Sequence, residues 1–269
     1  IITMSDTPAG GIEAVFVENG KIVSTGTKDE ILKHGTDGTR IINLEGKTLM
    51  PGFIAVHTHP DLTAYLYGFV DLSGFTHKTK EEVWAKLRQT VRETRKGEWI
   101  FCKGFDPMLV SGLTAPDIQF LDAVAPDHPV LIRAQNLHSA WANSLAFKKM
   151  GVTATTPDPA PGSYFEKDSQ GRLTGFIVET GAVKVMSADV LKTFNIKDNA
   201  VKVADAHIGN GITSITTMGL FSDKALILYE HLSTAHPRLI HRVLGAIGVL
   251  PKRKPTVRHF MYILHSTPD

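Results

Sequence analysis

The sequence predicts an α/β fold, a parallel sheet with covering helices preceded by a short all-β segment. Three observations point there. From residue 51 onward, compact β-branched and apolar runs alternate with stretches of helical periodicity, the pattern of successive βα units. Residues 1–50 instead carry strand and turn signals. No G-x-G-x-x-G turn follows the first parallel strand, which removes the usual reason to prefer an open doubly wound sheet. About five βα units are countable after Pro51, against the eight of a closed barrel, so periodicity alone leaves both architectures open.

Taken in order, Val15-Phe16-Val17 and Ile22-Val23 flank Asn19-Gly20, a dipeptide that suits a type I′ hairpin because both positions accept positive φ. Residues 28–34 suit one or two helical turns. A second hairpin is expected where residues 41–44 and 48–50 flank Glu45-Gly46. Residues 53–56 read as a strand buried on both faces, as in a parallel sheet. Val83, Trp84, Leu87 and Val91 share one helical face. Residues 99–101 form the next strand, 118–124 a short helix and 129–134 another strand. Residues 151–171, rich in Pro, Gly, Asp and Thr, read as a long excursion. A helix over 201–208 stops at Gly209 and Gly211, followed by a β-branched strand over 212–218. Ser222 suits the N-cap of a helix through Leu232, and residues 240–250 read as a further strand.

The 269 residues are 42% hydrophobic and carry a formal net charge of +2, so no dedicated polyanion partner, and no nucleic acid, is expected. No apolar run approaches the roughly 18 residues of a membrane span. Cys102 is the single cysteine, which excludes an internal disulfide and fits a reducing cytoplasm. No secretory signal is visible in a chain that begins at Ile1.

The chemistry concentrates at His57-Thr58-His59. Residues i and i+2 of a strand point to the same side, so two imidazoles at this spacing can converge on one metal ion. The pair also closes an apolar strand, the end at which βα barrels carry their sites. His231, His236 and His241 fall on different faces of a single helix, so a three-histidine site there is not expected.

The motif Leu44-x-Gly46-Lys47-x-x-x-Pro51-Gly52-Phe53-Ile54-x-x-His57-x-His59-Pro60 resembles the first-strand signature of the metal-dependent amidohydrolase superfamily. Val17-x-Asn19-Gly20-Lys21-Ile22-Val23-x-x-Gly26 resembles the β-sandwich lead-in of that family. Gly104-Phe105-Asp106-Pro107, Leu121-Asp122-x-x-x-Pro126-x-His128-Pro129-Val130, Asn136-Leu137-His138-Ser139-Ala140-Trp141-x-Asn143-Ser144 and Gly171-Arg172-Leu173-Thr174-Gly175-x-x-x-Glu179 resemble its family 3 branch, the one with N-substituted formamide deformylase. The resemblance implies a TIM-type (β/α)8 barrel, here partial, behind part of a small β-sandwich. On that reading residues 1–50 belong to the sandwich and 51–269 to the barrel, with an insertion near 151–180.

It further implies one or two divalent ions, usually zinc, and hydrolysis of a non-peptide C–N bond in a small-molecule substrate. His57 and His59 would be metal ligands, with Glu179 the first candidate to join them. His138 and Asp106 are candidates for substrate contact. The family's carboxylate base follows the eighth strand and lies beyond this chain. Family members carry Asp where this chain has Ala55, which bears on support of the site rather than on ligation. A homo-oligomer is also expected; two rival readings are a catalytically silent fragment or assembly module, and a deaminase or cyclic-amide or ester hydrolase on the same scaffold.

Overall fold

In the computed structural model, residues 1–4, 11–218, 223–233, 239–251 and 257–262 are described. Strands β1 (Ala14–Glu18) and β2 (Lys21–Gly26) pair antiparallel, with Glu18 opposite Lys21. Asn19 and Gly20 turn between them at φ 51° and 75°, the left-handed pair a type I′ turn requires. Helix α1 (Lys28–Leu32) follows, closed at its start by a capping box between Thr27 and Glu30. The second hairpin keeps its turn but not its strands. Glu45 and Gly46 are left-handed and the Lys47 N–H donates to the Leu44 carbonyl at 2.9 Å, yet neither flank pairs as a strand. The flanks are solvent-exposed, so no buried face holds their register.

The chain then runs through β3 (Phe53–Thr58), α2 (Pro60–Leu66), β4 (Val70–Asp71), α3 (Lys80–Glu93), β5 (Ile100–Phe105), α4 (Ile118–Val124), β6 (Val130–Ala134) and β7 (Ser139–Ala142). It continues through α5 (Ser144–Lys149), β8 (Tyr164–Lys167), β9 (Leu173–Val178), α6 (Glu179–Met186), α7 (Val190–Thr193) and α8 (Ile196–Gly209). The last described elements are β10 (Ile212–Met218), α9 (Asp223–Ser233), α10 (Leu239–Ala246) and β11 (Arg258–Tyr262). Ser222 lies outside the described residues.

These strands do not form one parallel series. A three-stranded parallel sheet has the order β11-β10-β3, and a six-stranded sheet has the order β4-β5-β6-β7-β9-β8. In the larger sheet β4, β5 and β6 are parallel, whereas β7, β9 and β8 extend it antiparallel. The excursion over residues 151–171 therefore contains a strand of its own, β8, at the edge of the larger sheet. No closed barrel is present among the described residues.

The six-stranded sheet buries both faces. Phe101, Leu131, Ala140 and Ile177 pack under α2 and α6, while Ile100, Cys102, Ile132 and Trp141 pack under α3 and α4. Asn143 locks the turn from β7 into α5. Its Oδ1 accepts from the N–H groups of Val130 and Ala146, both at 3.0 Å. Its Nδ2 donates to the carbonyls of Ala125 and His128 at 3.3 and 2.7 Å. Asp122 accepts from both the amide and the hydroxyl of Ser144. The Asp122, Asn143 and Ser144 motif residues are thus structural.

Two expectations are corrected in the smaller sheet. Strand β3 is not buried on both faces: Phe53 points to one face and Ile54 and Val56 to the other, and they are 57%, 64% and 73% exposed. Among the described residues it is an edge strand bonded to β10 alone, and of its side chains Ala55 reaches the cluster of Ile215, Ala204 and Val257. Residues 240–250 are not a strand; they begin inside helix α10 and end in a turn. His241 and Leu244 fall at i and i+3 and face inward, a helical period that a short apolar run conceals.

Candidate metal centre

Strand β3 delivers His57 and His59 to the end of the three-stranded sheet. Thr58 donates its hydroxyl to the Thr216 carbonyl of β10 at 2.9 Å, which pins the strand where its register is irregular. The chain then turns into α2 with Pro60 at the first helical position, where a missing N–H costs nothing. His59 is the N-cap residue; its carbonyl accepts from both the amide and the hydroxyl of Thr63 at 2.9 Å. Its imidazole makes no capping bond and stays available.

The two rings converge. Their centroids are 5.3 Å apart with an interplanar angle of 74°. His57 is exposed and His59 half-buried, and His59 Nδ1 is buried with no hydrogen-bond partner. A buried ring nitrogen without a partner is costly in an apolar setting, and ligation removes that cost. The donor set therefore fits a divalent cation of the imidazole-binding class, as two of the four positions zinc prefers. Among the described residues no three His, Cys, Asp or Glu side chains form a metal-holding group.

Glu179 does not join the pair. It sits just past β9, and Ser139 of β7 is in register with Val178, so the next cross-strand position brings His138 to Glu179. His138 Nδ1 lies 2.9 Å from Glu179 Oε2. That hydrogen bond holds the Glu179 carboxyl below its ordinary range. Leu137 and Glu179 both adopt φ 65°, a left-handed conformation uncommon for side chains of their size. Asp106 accepts from the Met108 amide at 2.8 Å and stabilises a turn after β5.

Several site-grade groups carried no signal in the motifs. Thr217 Oγ1 and the Tyr229 hydroxyl are buried without partners, and Tyr229 is raised by burial and by the nearby Asp61 carboxylate. His259 is pushed down to about 4 by burial and by His207. His231 and His241 lie on two helices rather than one, with ring centroids 6.0 Å apart. Arg133, a cation inside the buried strand Val130–Ala134, was legible as an anomaly in an otherwise apolar run.

The fold is mixed α/β with parallel strands, and the imidazole pair sits at a strand terminus. Residues 40–256 match the amidohydrolase family, and the chain belongs to that family. The exoenzymes regulatory protein AepA of Pectobacterium carotovorum subsp. carotovorum is 32% identical over 212 residues, covering 76% of this chain and 45% of that protein. N-substituted formamide deformylase of Arthrobacter pascens is 31% identical over 176 residues, 65% of this chain and 32% of the enzyme. The crystal structure of an uncharacterized metal-dependent hydrolase from Pyrococcus horikoshii OT3 superposes with a TM-score of 0.56 at 22% identity. That match covers 93% of this chain and 44% of the Pyrococcus chain. This chain thus spans less than half the length of each of these proteins.

Proposed function

We propose that the chain carries the first-strand metal ligands of a hydrolase that cleaves a non-peptide C–N bond in a small-molecule substrate. The observation that supports this most is the convergence of His57 and His59, with His59 Nδ1 buried and unpartnered. Zinc is the ion we assign, because imidazole donors suit it and the chain's lone cysteine is buried elsewhere. Bound there, a divalent cation supplies Lewis acidity toward a carbonyl and lowers the pKa of water. His57 and His59 hold and orient; Pro60 and Thr63 fix the backbone that presents them. His138, oriented by Glu179, and Asp106 are assigned to substrate contact. We read β3, β10 and β11 as the first strands of a barrel. The six-stranded sheet is then an insertion between them, far larger than residues 151–180 alone, and residues 1–50 are the sandwich portion.

The exposed apolar side chains of β3 favour a second reading, an assembly or otherwise silent role in which another polypeptide covers them. A turnover assay separates the two. N-substituted formamides, cyclic amides and amino-heterocycles are offered to the zinc-loaded chain and to a His57→Ala, His59→Ala variant. Zinc-dependent hydrolysis lost in the variant supports the first reading; equal rates in both proteins refute it. No helix among the described residues is long and apolar enough to cross a membrane. A cytoplasmic location stays part of the proposal.

A further inference from the structure

The least compensated charge in the well-packed sheet belongs to Arg133. It is 7% exposed, in a strand whose other residues are apolar and buried. One hydrogen bond reaches its head group's surroundings: Nη2 donates to the Leu137 carbonyl at 2.7 Å. Nε is buried with no partner, and no ion pair between described residues includes this side chain. Burial pulls its pKa down, with only the Tyr65 hydroxyl acting in the other direction. Lys103, on the neighbouring strand β5, is half-buried and already has a counter-charge in Asp71.

A guanidinium held out of water without a carboxylate costs far more than one carbonyl bond returns. A purely structural residue at this place would be apolar. The unmet Nε donor matches an oxyanion, since the planar fork donates to two oxygens at once. Location connects it to the metal pair. Leu62 and Tyr65 of α2 pack on the cluster that holds Leu131 and Ala140, and Leu137 packs there too. His59 caps that helix, and Tyr65 follows it by about 9 Å along the axis at 1.5 Å per residue.

We propose that Arg133 anchors an oxyanion site beside α2, which receives a carboxylate-class group of the ligand. Its use as a substrate handle rests on the hydrolase reading; the site itself does not. The test is thermal unfolding of the 269-residue chain in chloride, acetate and inorganic phosphate at equal ionic strength. Wild type is compared with Arg133→Met and Arg133→Lys. A site with millimolar affinity raises the wild-type midpoint by about 5 °C at 100 mM anion and leaves Arg133→Met unmoved. In chloride, Arg133→Met melts at or above wild type. Response to acetate alone assigns a carboxylate, and response to phosphate alone a phosphoryl group. Absence of any wild-type shift, or equal shifts in wild type and Arg133→Met, overturns the proposal. Should Arg133→Met not fold, the wild-type shift still decides, and Arg133→Lys reduces it by removing the planar fork. Zinc content is unchanged in every variant, so failure here leaves the metal assignment standing.

Discussion

Asn143→Ala is the sharpest test of how the larger sheet is held. The side chain is fully buried and bonds Val130 N–H, Ala146 N–H and the carbonyls of Ala125 and His128. Its bond to Ala146 N–H is the N-cap of α5, and losing such a cap costs about 1 kcal/mol. The other three backbone groups have no solvent to replace the amide, at about 1 kcal/mol each on the low side. The sum is about 4 kcal/mol, a drop in the melting midpoint of roughly 7 °C for a chain this long. Urea unfolding followed by tryptophan fluorescence reads it, because Trp141 is buried two residues away. A loss below about 1 kcal/mol with an unchanged m-value would refute the reasoning, since it would mean that water reaches those groups.

The remaining predictions concern titration and reactivity. Glu179 titrates below its ordinary value in wild type, and His138→Ala returns it toward that value, as carboxyl-resolved NMR will show. The stability this pair contributes is present above the unfolded pKa and fades as pH falls through the folded one. His259 behaves in the opposite sense to a salt-bridged histidine. Its folded pKa of about 4 means the native state loses about 3 kcal/mol between pH 6.5 and 4, and His259→Leu flattens urea stability over that window. Cys102 is buried, and burial raises its thiol pKa strongly, so aromatic disulfide reagents leave it intact until urea unfolds the chain. Labelling at native-state rates typical of a free thiol would contradict its placement.

Elements whose signals are local were legible. Asn19-Gly20, the Val83 and Leu87 face of α3 and the β-branched run of β10 each carry their reason within a few residues. Which strands share a sheet was not legible. Thr58 and Thr216 meet across 158 residues, and alternation of strand with helix says nothing about such pairing. Thus β5 and β6 were counted in series with β3, though they belong to another sheet.

The site divides in the same way. The His57 and His59 pair is readable because strand period alone places both rings on one side. His138 and Glu179 were both visible as candidates, but their meeting depends on β7 and β9 lying antiparallel, and no strand was expected over residues 139–142. Arg133 was passed over because its neighbours Leu131 and Ile132 made the strand reading sufficient without it. The basic run Lys252-Arg253-Lys254 lies outside the described residues.

Metal binding by the two imidazoles at the end of β3 is the property to measure first. Elemental analysis after zinc loading and exhaustive dialysis of wild type and of His57→Ala, His59→Ala measures this without any assumption about substrate. Retained zinc in wild type, lost in the double variant while the far-ultraviolet spectra coincide, is the predicted result. Equal zinc in both proteins would contradict it.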